Sequence, residues 1–383
     1  MTAEGDESDT YDPWLDLRGS SATDPAGSEH PASRIETIEG VEPLDAQLGA
    51  FPKKTVPDAL SDVMFGQPGP IAAEIEAAGG KATAVSPMQT YAILDAAQVI
   101  NLPELLEDSG LEHCCLFKGS AYDELKNVAP WIVRLEEGNS FTRNLFSRSD
   151  APWHLWDTDP GIYVRSRGTL EEMARHFRKF TRVQDESGKW FYFRFWKPFP
   201  MLHYIKGLSE RPRIVLRWFG VHDGTAITVL LLPLRRESAV ACVTLAKFPD
   251  DGFSAPINLT ASDRATIAKA RVETRLDELS DLLARTFPEM FDRTELKLDF
   301  LVRRTVSRMQ QFGLLQAKAL FTTCAWELAH GPDFELRDPE GILANILRRP
   351  IDETQKIRML RERMVILTEK EVLSQTASPA RLG

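Results

Sequence analysis

The sequence has few cysteines and no long apolar run. Its 383 residues include four cysteines, and none of them form a CxxC pair. The longest apolar stretch, TAITVLLLPL at residues 225–234, has half the length of a membrane-spanning helix and contains Pro233. The first ten residues show neither the basic nor the apolar region of a signal peptide. These features predict a cytoplasmic protein with reduced thiols.

The sequence also lacks the short motifs that mark many active sites. HExxH, GxSxG, the Walker A loop and GxGxxG do not occur. His113, His154 and His176 are the histidines nearest to candidate chemistry, and a structural role explains each of them. We therefore predict no catalytic, cofactor-binding or metal-binding residue. The alternative is an enzyme of unknown type that uses a cleft in the α/β part of the chain.

Charge is concentrated at the N-terminal end. Residues 1–62 contain fourteen acidic and four basic residues, a net charge of −10 that equals the net charge of the whole chain. The remaining 321 residues are therefore balanced, with 42 of each sign. Because these residues carry no net charge, we do not expect general affinity for nucleic acid. The acidic, proline-containing start is typical of disordered chain.

Apolar periodicity divides the sequence into an α/β part and a helical part. From residue 88 to residue 166, short apolar runs alternate with short amphipathic segments, which indicates strands and helices in succession. IVLRWFG at 214–220 and AITVLLLPL at 226–234 predict two more strands. Later apolar residues are spaced three or four apart, which predicts helices ending at Gly313 and Gly331. We predict a disordered acidic tail at 1–80, an α/β lobe with a mixed sheet and flanking helices at 81–258, and an all-α lobe at 259–383.

The best-defined helix begins after Thr169. Thr169 and Glu172 have the spacing of a capping box, in which each side chain bonds the other residue's backbone amide. Leu170, Met173 and Phe177 follow at helical spacing and form an apolar stripe. The pattern predicts an amphipathic helix that ends near residue 183.

The segment KWFYFRFWKP, residues 189–198, contains six aromatic residues and three cations. As a strand, it places Phe191, Phe193 and Phe195 on one face, which predicts a packed core against the preceding helix. The opposite face is amphipathic, so that packing, protein binding or nucleic-acid stacking would each account for it. That face carries Trp190, Tyr192, Arg194 and Trp196.

A basic cluster surrounds this segment. Residues 161–197 contain nine basic and four acidic residues, a local net charge of +5. A solvated helix face explains the cluster most simply. The alternatives are a surface for an anionic partner, including the acidic tail of the same chain, or a nucleic-acid-binding surface.

Five segments follow one another in a recognisable order. They are YAILDAAQ, LFKGSAYDELKNVAPWIVRLE, GIYVRSRGTLEEMARHFRKFTRV, FRFWKP and FGLLQAKALFTTCAWELAHGPDFE. Together they resemble the conserved domain of type VI secretion effector chaperones, which are also called adaptors. The resemblance extends from residue 88 to residue 350 and departs from the family at Lys197, where an acidic residue is usual.

This resemblance implies a chaperone without enzymatic activity or cofactor. Such proteins bind a type VI effector, a toxin, often through its N-terminal region, and help to load it onto the VgrG spike protein. It implies neither a nucleic-acid nor a membrane partner. Arginine and tryptophan are frequent in binding hot spots. The candidate partner-binding residues are Arg178, Arg194, Trp196, Arg303 and Arg304.

Overall fold

The fold of this chain comes from a computed structural model. It describes residues 33–208, 211–222, 225–245, 257–291 and 298–376. The chain forms two compact units, one ending at Ala270 and the other beginning at Arg271. We call them the sheet unit and the helical unit. As predicted, the first is α/β and the second is all-helical. The division lies twelve residues beyond the predicted domain boundary at residue 258.

One large sheet organises the sheet unit. Its strands lie in the order β1-β10-β9-β5-β2-β4-β3, with β8 paired to β9. Their bounds are β1 Ser33–Ile38, β2 Gln89–Asp95, β3 His113–Cys115, β4 Pro130–Leu135, β5 Gly161–Ser166, β8 Gly220–His222, β9 Thr225–Leu234 and β10 Ala239–Leu245. A small sheet has the order β11-β6-β7, with β6 Arg182–Asp185, β7 Trp190–Tyr192 and β11 Asn258–Leu259.

The large sheet differs from the predicted mixed sheet because each of its described strand pairs is antiparallel. The parallel pair in the described chain is β11 with β6 in the small sheet. For β9 and β10, a short connection explains the antiparallel pairing. A turn of four residues joins β9 to β10, whereas parallel neighbours need crossovers of about a dozen residues.

Both faces of the large sheet are buried. In β2, Tyr91 and Ile93 belong to one apolar cluster, and Ala92 and Leu94 belong to another. Alternate residues of a strand point to opposite faces, so each cluster fills one side of the sheet. This two-sided burial explains why β2 is a continuous apolar run in the sequence.

Eight helices cover the sheet in the described part of this unit. Their bounds are α1 Asp58–Phe65, α2 Ala72–Ala77, α3 Leu102–Ser109, α4 Ser120–Leu125, α5 Ser140–Leu145, α6 Leu170–Thr181, α7 Pro198–Gly207 and α8 Pro212–Phe219. The capping box of α6 is confirmed: Thr169 Oγ1 accepts from the Glu172 amide at 3.3 Å, and Glu172 Oε2 accepts from the Thr169 amide at 2.7 Å. The helix ends at Thr181, where β6 begins.

The structure differs from the predicted disordered tail over residues 33–80. There β1 pairs with β10, and α1 buries Leu60 and Met64 against the sheet. Arg165 of β5 donates to the carbonyl oxygens of Val63, at 2.9 Å, and Gly66 at the end of α1. A few well-placed apolar residues thus order a segment whose average composition is polar. Residues 1–32 lie outside the described residues.

The predicted strand at residues 214–220 is wrong, because the structure has α8 there. Pro212 occupies the first turn, where proline is compatible with a helix. Val215, Trp218 and Phe219 are buried at positions spaced three and four apart. Residues 223 and 224, just before the second of these predicted strands, lie outside the described residues.

The helical unit packs around its own apolar core. Its helices are α9 Ala261–Thr286, which crosses the division between the units, α10 Pro288–Phe291, α11 Leu298–Gln311, α12 Ala317–His330, α13 Ile342–Arg348 and α14 Glu353–Thr376. Gly313 and Gly331 follow α11 and α12 with φ of 77° and 86°, which confirms the predicted helix ends. None of the helices in the described residues combines the length and apolar content needed to cross a membrane.

Candidate protein-binding site

A tight turn positions the exposed hairpin of the small sheet. Asp185 Oδ1 accepts hydrogen bonds from Ser187 Oγ at 2.6 Å, the Ser187 amide at 2.8 Å and the Lys189 amide at 3.0 Å. These bonds, first the one from the Ser187 hydroxyl, hold the pKa of Asp185 below its usual range. Gly188 completes the turn with φ of 82°. The turn therefore fixes the register of β6 against β7.

That register places an arginine against two aromatic rings. Arg182 lies opposite Tyr192, and Gln184 lies opposite Trp190. The Arg182 guanidinium carbon is 4.9 Å from the Trp190 ring centre and 5.9 Å from that of Tyr192. Phe117, after β3, extends the group with its ring 6.0 Å from Tyr192. We call Phe117, Arg182, Trp190 and Tyr192 the aromatic–arginine face.

The other side of the hairpin is anchored. Val183 is buried, and the half-buried Phe191 ring lies 5.6 Å from Lys189 Nζ and 5.7 Å from the Arg264 guanidinium. Arg264 also forms an ion pair with Asp185. Contacts on this side hold the strands in place while the aromatic–arginine face points outward.

The outward face has the properties of a protein-binding surface. Trp190 is 53% exposed and Tyr192 is 57% exposed, which leaves two large aromatic surfaces in water. Within the described residues, Arg182 forms no ion pair with a carboxylate. A guanidinium stacked on an aromatic ring keeps its N–H groups free for a partner's carboxylate or carbonyl oxygens. Tryptophan, tyrosine and arginine are also the residues that dominate binding energy in interfaces.

Two of the predicted partner-binding residues lie in the segment after β7. Arg194 is exposed, as the strand interpretation predicts. Trp196 is only 2% exposed and packs in the core beside Phe195, with 5.2 Å between their ring centres. The alternation ends because β7 stops at Tyr192 and the chain turns into α7. In this structure Trp196 is therefore not available to a partner.

The other three predicted arginines hold parts of the fold together. Arg178 of α6 is half-buried and donates from Nη2 to the Cys115 carbonyl oxygen at 3.0 Å. In the helical unit, Arg303 pairs with Asp277 at 2.9 Å and with Glu273, and Arg304 pairs with Asp333. Whether any of them binds a partner stays a prediction.

The histidines occupy separate structural positions. His176 of α6 is 2% exposed, its Nε2 donates to the Trp218 carbonyl oxygen at 2.9 Å, and burial lowers its pKa to about 4. His113 Nδ1 lies 2.7 Å from the Leu111 carbonyl oxygen, and His154 Nδ1 lies 2.6 Å from Ser149 Oγ. In the described chain, none of the three contacts a carboxylate.

The thiols beside His113 are not activated. Burial raises the pKa of Cys114 and raises that of Cys115 to about 11, so both keep their protons at neutral pH. Among the side chains that the structure describes, no group of three or more His, Cys, Asp or Glu residues is arranged to hold a metal ion.

Internal contacts occupy much of the basic cluster. Arg165 binds backbone carbonyl oxygens, and Arg167 donates to those of Ser86 and Pro68 while pairing with Glu74 at 3.0 Å. Lys197 lies 3.5 Å from Asp95 Oδ2, which is almost fully buried. The family that the sequence resembles usually has an acidic residue at this position. In this chain the position holds the basic Lys197, which faces the acidic Asp95. These contacts leave less free positive charge than the sequence suggests.

A family model matches the middle of the chain. Residues 90–213 match the family described as Domain of unknown function (DUF4123). No curated protein and no solved structure matches this chain. The matched region runs from β2 to the start of α8 within the sheet unit. It includes all four residues of the aromatic–arginine face.

Sequence reasoning found part of this face and missed the rest. Alternation along the aromatic segment identified Trp190 and Tyr192 as a pair on one side. In the sequence, Arg182 is one member of a basic cluster, and its position opposite Tyr192 depends on the hairpin turn at residues 185–188. No local signal connects Phe117 to this hairpin, because it lies more than sixty residues earlier in the chain.

Proposed function

We propose that this chain is a cytoplasmic chaperone, or adaptor, of a type VI secretion system. It binds an effector toxin, through a segment near the effector's N-terminus, and helps to load it onto the VgrG spike protein. It carries out no chemical reaction itself. Gripping another polypeptide requires an accessible surface rather than a catalytic centre.

The match to DUF4123 carries this proposal. That family is known for the effector adaptors of type VI secretion. The sequence segments that resemble these adaptors overlap the matched region, since four of the five fall largely within residues 90–213. The same region includes the exposed rings of Trp190 and Tyr192, which suit protein recognition.

The aromatic–arginine face is the proposed contact for the effector. Trp190 and Tyr192 lose about half of their surface to a partner that covers them, and Arg182 bonds a carboxylate or a carbonyl oxygen of that partner. Arg194, which is exposed in the same segment, contributes at the rim. The short strand β7 lies at the edge of its sheet, where an extended partner segment can add a strand.

The test is co-purification with the effector encoded beside this gene. The double variant Trp190→Ala/Tyr192→Ala is expected to weaken effector binding at least 30-fold, about 2 kcal/mol, because it removes two hot-spot residues. Trp153→Ala is the matched control, since Trp153 is 54% exposed and stands outside the face. Isothermal titration calorimetry measures both.

Two results separate the function from the site. Failure of the wild-type chain to co-elute with the neighbouring effector contradicts the chaperone function. If the wild-type chain binds the effector and Trp190→Ala/Tyr192→Ala binds it equally well, the proposed chaperone function stands. The aromatic–arginine face is then not the contact for the effector.

A further inference from the structure

The helical unit contains an open groove between α12 and α14. Its volume is about 400 Å³, within the range of about 300–1,000 Å³ typical of ligand pockets. Residues one turn apart on α12 form one wall, and residues at helical spacing on α14 form the other. The lining residues are Trp326, His330, Arg361, Met364, Val365 and Thr368.

The groove has an apolar surface that nothing in the described chain covers. Val365 is 56% exposed although it is purely aliphatic. Beside it, Met364 is buried and Trp326 is half-buried, with the Trp326 ring 5.6 Å from Phe334. An apolar residue that enters the groove contacts Met364, Trp326 and Val365, and it removes the exposed surface of Trp326 and Val365 from water.

The charge at the rim of the groove is positive. Arg361 is exposed, and its Nη2 donates to Thr322 Oγ1 at 3.2 Å. In the described residues it forms no ion pair, whereas Arg308 and Arg363 of the same unit are each held by at least two carboxylates. The occupant best suited to this groove therefore has apolar side chains next to an acid.

A segment of the same chain has this chemistry. Residues 1–32 contain eight acidic residues and one basic residue. Within them, residues 11–17 read YDPWLDL, in which the apolar Trp14, Leu15 and Leu17 lie close to Asp12 and Asp16. We propose that this segment docks in the groove between α12 and α14, with Trp14 on the apolar surface and a flanking aspartate beside Arg361.

A labelled peptide tests the docking in solution. The probe is residues 9–19 carrying fluorescein, titrated with the full-length chain and followed by fluorescence anisotropy. The full-length variant Trp14→Ala/Leu17→Ala, whose own segment can no longer compete, is expected to bind the peptide at least tenfold more tightly than the wild-type chain. A tethered segment acts at an effective concentration in the millimolar range, which accounts for this competition.

Groove variants locate the binding. In the Trp14→Ala/Leu17→Ala background, Val365→Glu is expected to weaken peptide binding at least tenfold, because it places a charge on the apolar surface. Leu336→Glu is the matched control, since Leu336 is 67% exposed and does not line the groove. Arg361→Glu is a second groove variant at an exposed position and is also expected to weaken binding; its result decides the test if Val365→Glu alters the circular dichroism spectrum.

Each outcome bears on the proposal. The proposal is supported if both groove variants weaken peptide binding and Leu336→Glu does not. Absence of binding, or binding indifferent to the groove variants, overturns it. The proposal is also overturned if the wild-type chain and the Trp14→Ala/Leu17→Ala variant bind the peptide with equal affinity. It is overturned as well if the wild-type chain is a dimer and the variant is a monomer, because the segment then occupies the groove of a second copy. No effector is involved, so none of these results touches the proposed chaperone function.

Discussion

Two arginines, one in each unit, are held in different ways. In the helical unit, Arg308 contacts Glu327, Asp333 and Glu335 at 2.6, 2.8 and 2.9 Å, and all three carboxylates belong to the same unit. In the sheet unit, Arg182 stacks on Trp190 and Tyr192 and faces solvent. The same side chain thus stabilises the fold in one unit and leaves its hydrogen-bonding groups available in the other.

The difference shows what decides whether an arginine can recognise a partner. Three carboxylates form ion pairs with the guanidinium of Arg308, and a partner would have to break those pairs. Aromatic rings orient the guanidinium of Arg182 without satisfying its N–H groups. The neighbours of an arginine in the fold, more than its presence in the sequence, therefore indicate a binding role.

The largest effect is expected from removing the centre of the helical network. Arg308→Met leaves Glu327 and Glu335, which are 2% and 3% exposed, without their cation. Leaving a buried charge unpaired costs about 3–5 kcal/mol. Urea unfolding, followed by circular dichroism at 222 nm, measures the loss in unfolding free energy.

The control for this change is Arg348→Met in the same unit. Arg348 of α13 is exposed and forms no ion pair within the described residues, so the loss is expected to stay below about 0.5 kcal/mol. Equal losses in the two variants would mean that the network around Arg308 does not distinguish it from a surface arginine.

The next largest effect is the pH dependence that His176 of the sheet unit gives to the unfolding free energy. Burial lowers the pKa of His176 from 6.5 to about 4. As the pH falls, the unfolded chain therefore binds a proton before the folded chain does. The stability contributed by the neutral ring is complete above pH 6.5 and is lost between pH 6.5 and about 4, by about 3 kcal/mol.

Comparison with His176→Gln isolates this contribution. Glutamine keeps an N–H donor for the Trp218 carbonyl oxygen but does not titrate. The variant is expected to lose less stability than the wild type between pH 7 and pH 4.5, measured by urea unfolding with tryptophan fluorescence. His154→Gln, at a half-buried position in the same unit, is the control and should follow the wild type. An unchanged slope in His176→Gln would contradict the assignment.

Arg165 provides an intermediate case, because its partners are carbonyl oxygens rather than carboxylates. Arg165→Met removes two hydrogen bonds from the end of α1, and the unfolding free energy is expected to fall by about 2 kcal/mol. Faster amide hydrogen exchange in α1 would accompany the loss. Arg175→Met, which breaks the exposed pair with Glu171, should cost below about 1 kcal/mol and leave α1 protected. Unchanged exchange in Arg165→Met would show that α1 is held by packing alone.

The sequence predicts those elements whose signals are local. The capping box between Thr169 and Glu172 is complete within four residues, and it identified the start of α6. Both faces of β2, β4 and β5 are buried, and their continuous apolar runs are recognisable without knowledge of their neighbours.

The sequence fails where distant contacts decide the structure. Leu60 and Met64 look isolated in a polar segment, and only the sheet gives them a place to be buried. Ile214 to Gly220 has the residues of a strand, but burial of Val215, Trp218 and Phe219 requires a helix. The candidate site shows the same limit, since Trp190 and Tyr192 follow from alternation while Phe117 comes from a different part of the fold.

The smallest effect concerns Arg182 in the free protein. Arg182→Ala removes a cation–π contact at the surface, which contributes about 0.5–1 kcal/mol. A double-mutant cycle with Trp190→Ala, measured by urea unfolding, gives the coupling between the two side chains. A coupling in this range means that Arg182 is oriented by the ring but not committed to the fold, which a partner-binding arginine requires. A coupling as large as the loss in Arg308→Met would remove the distinction between Arg182 and Arg308.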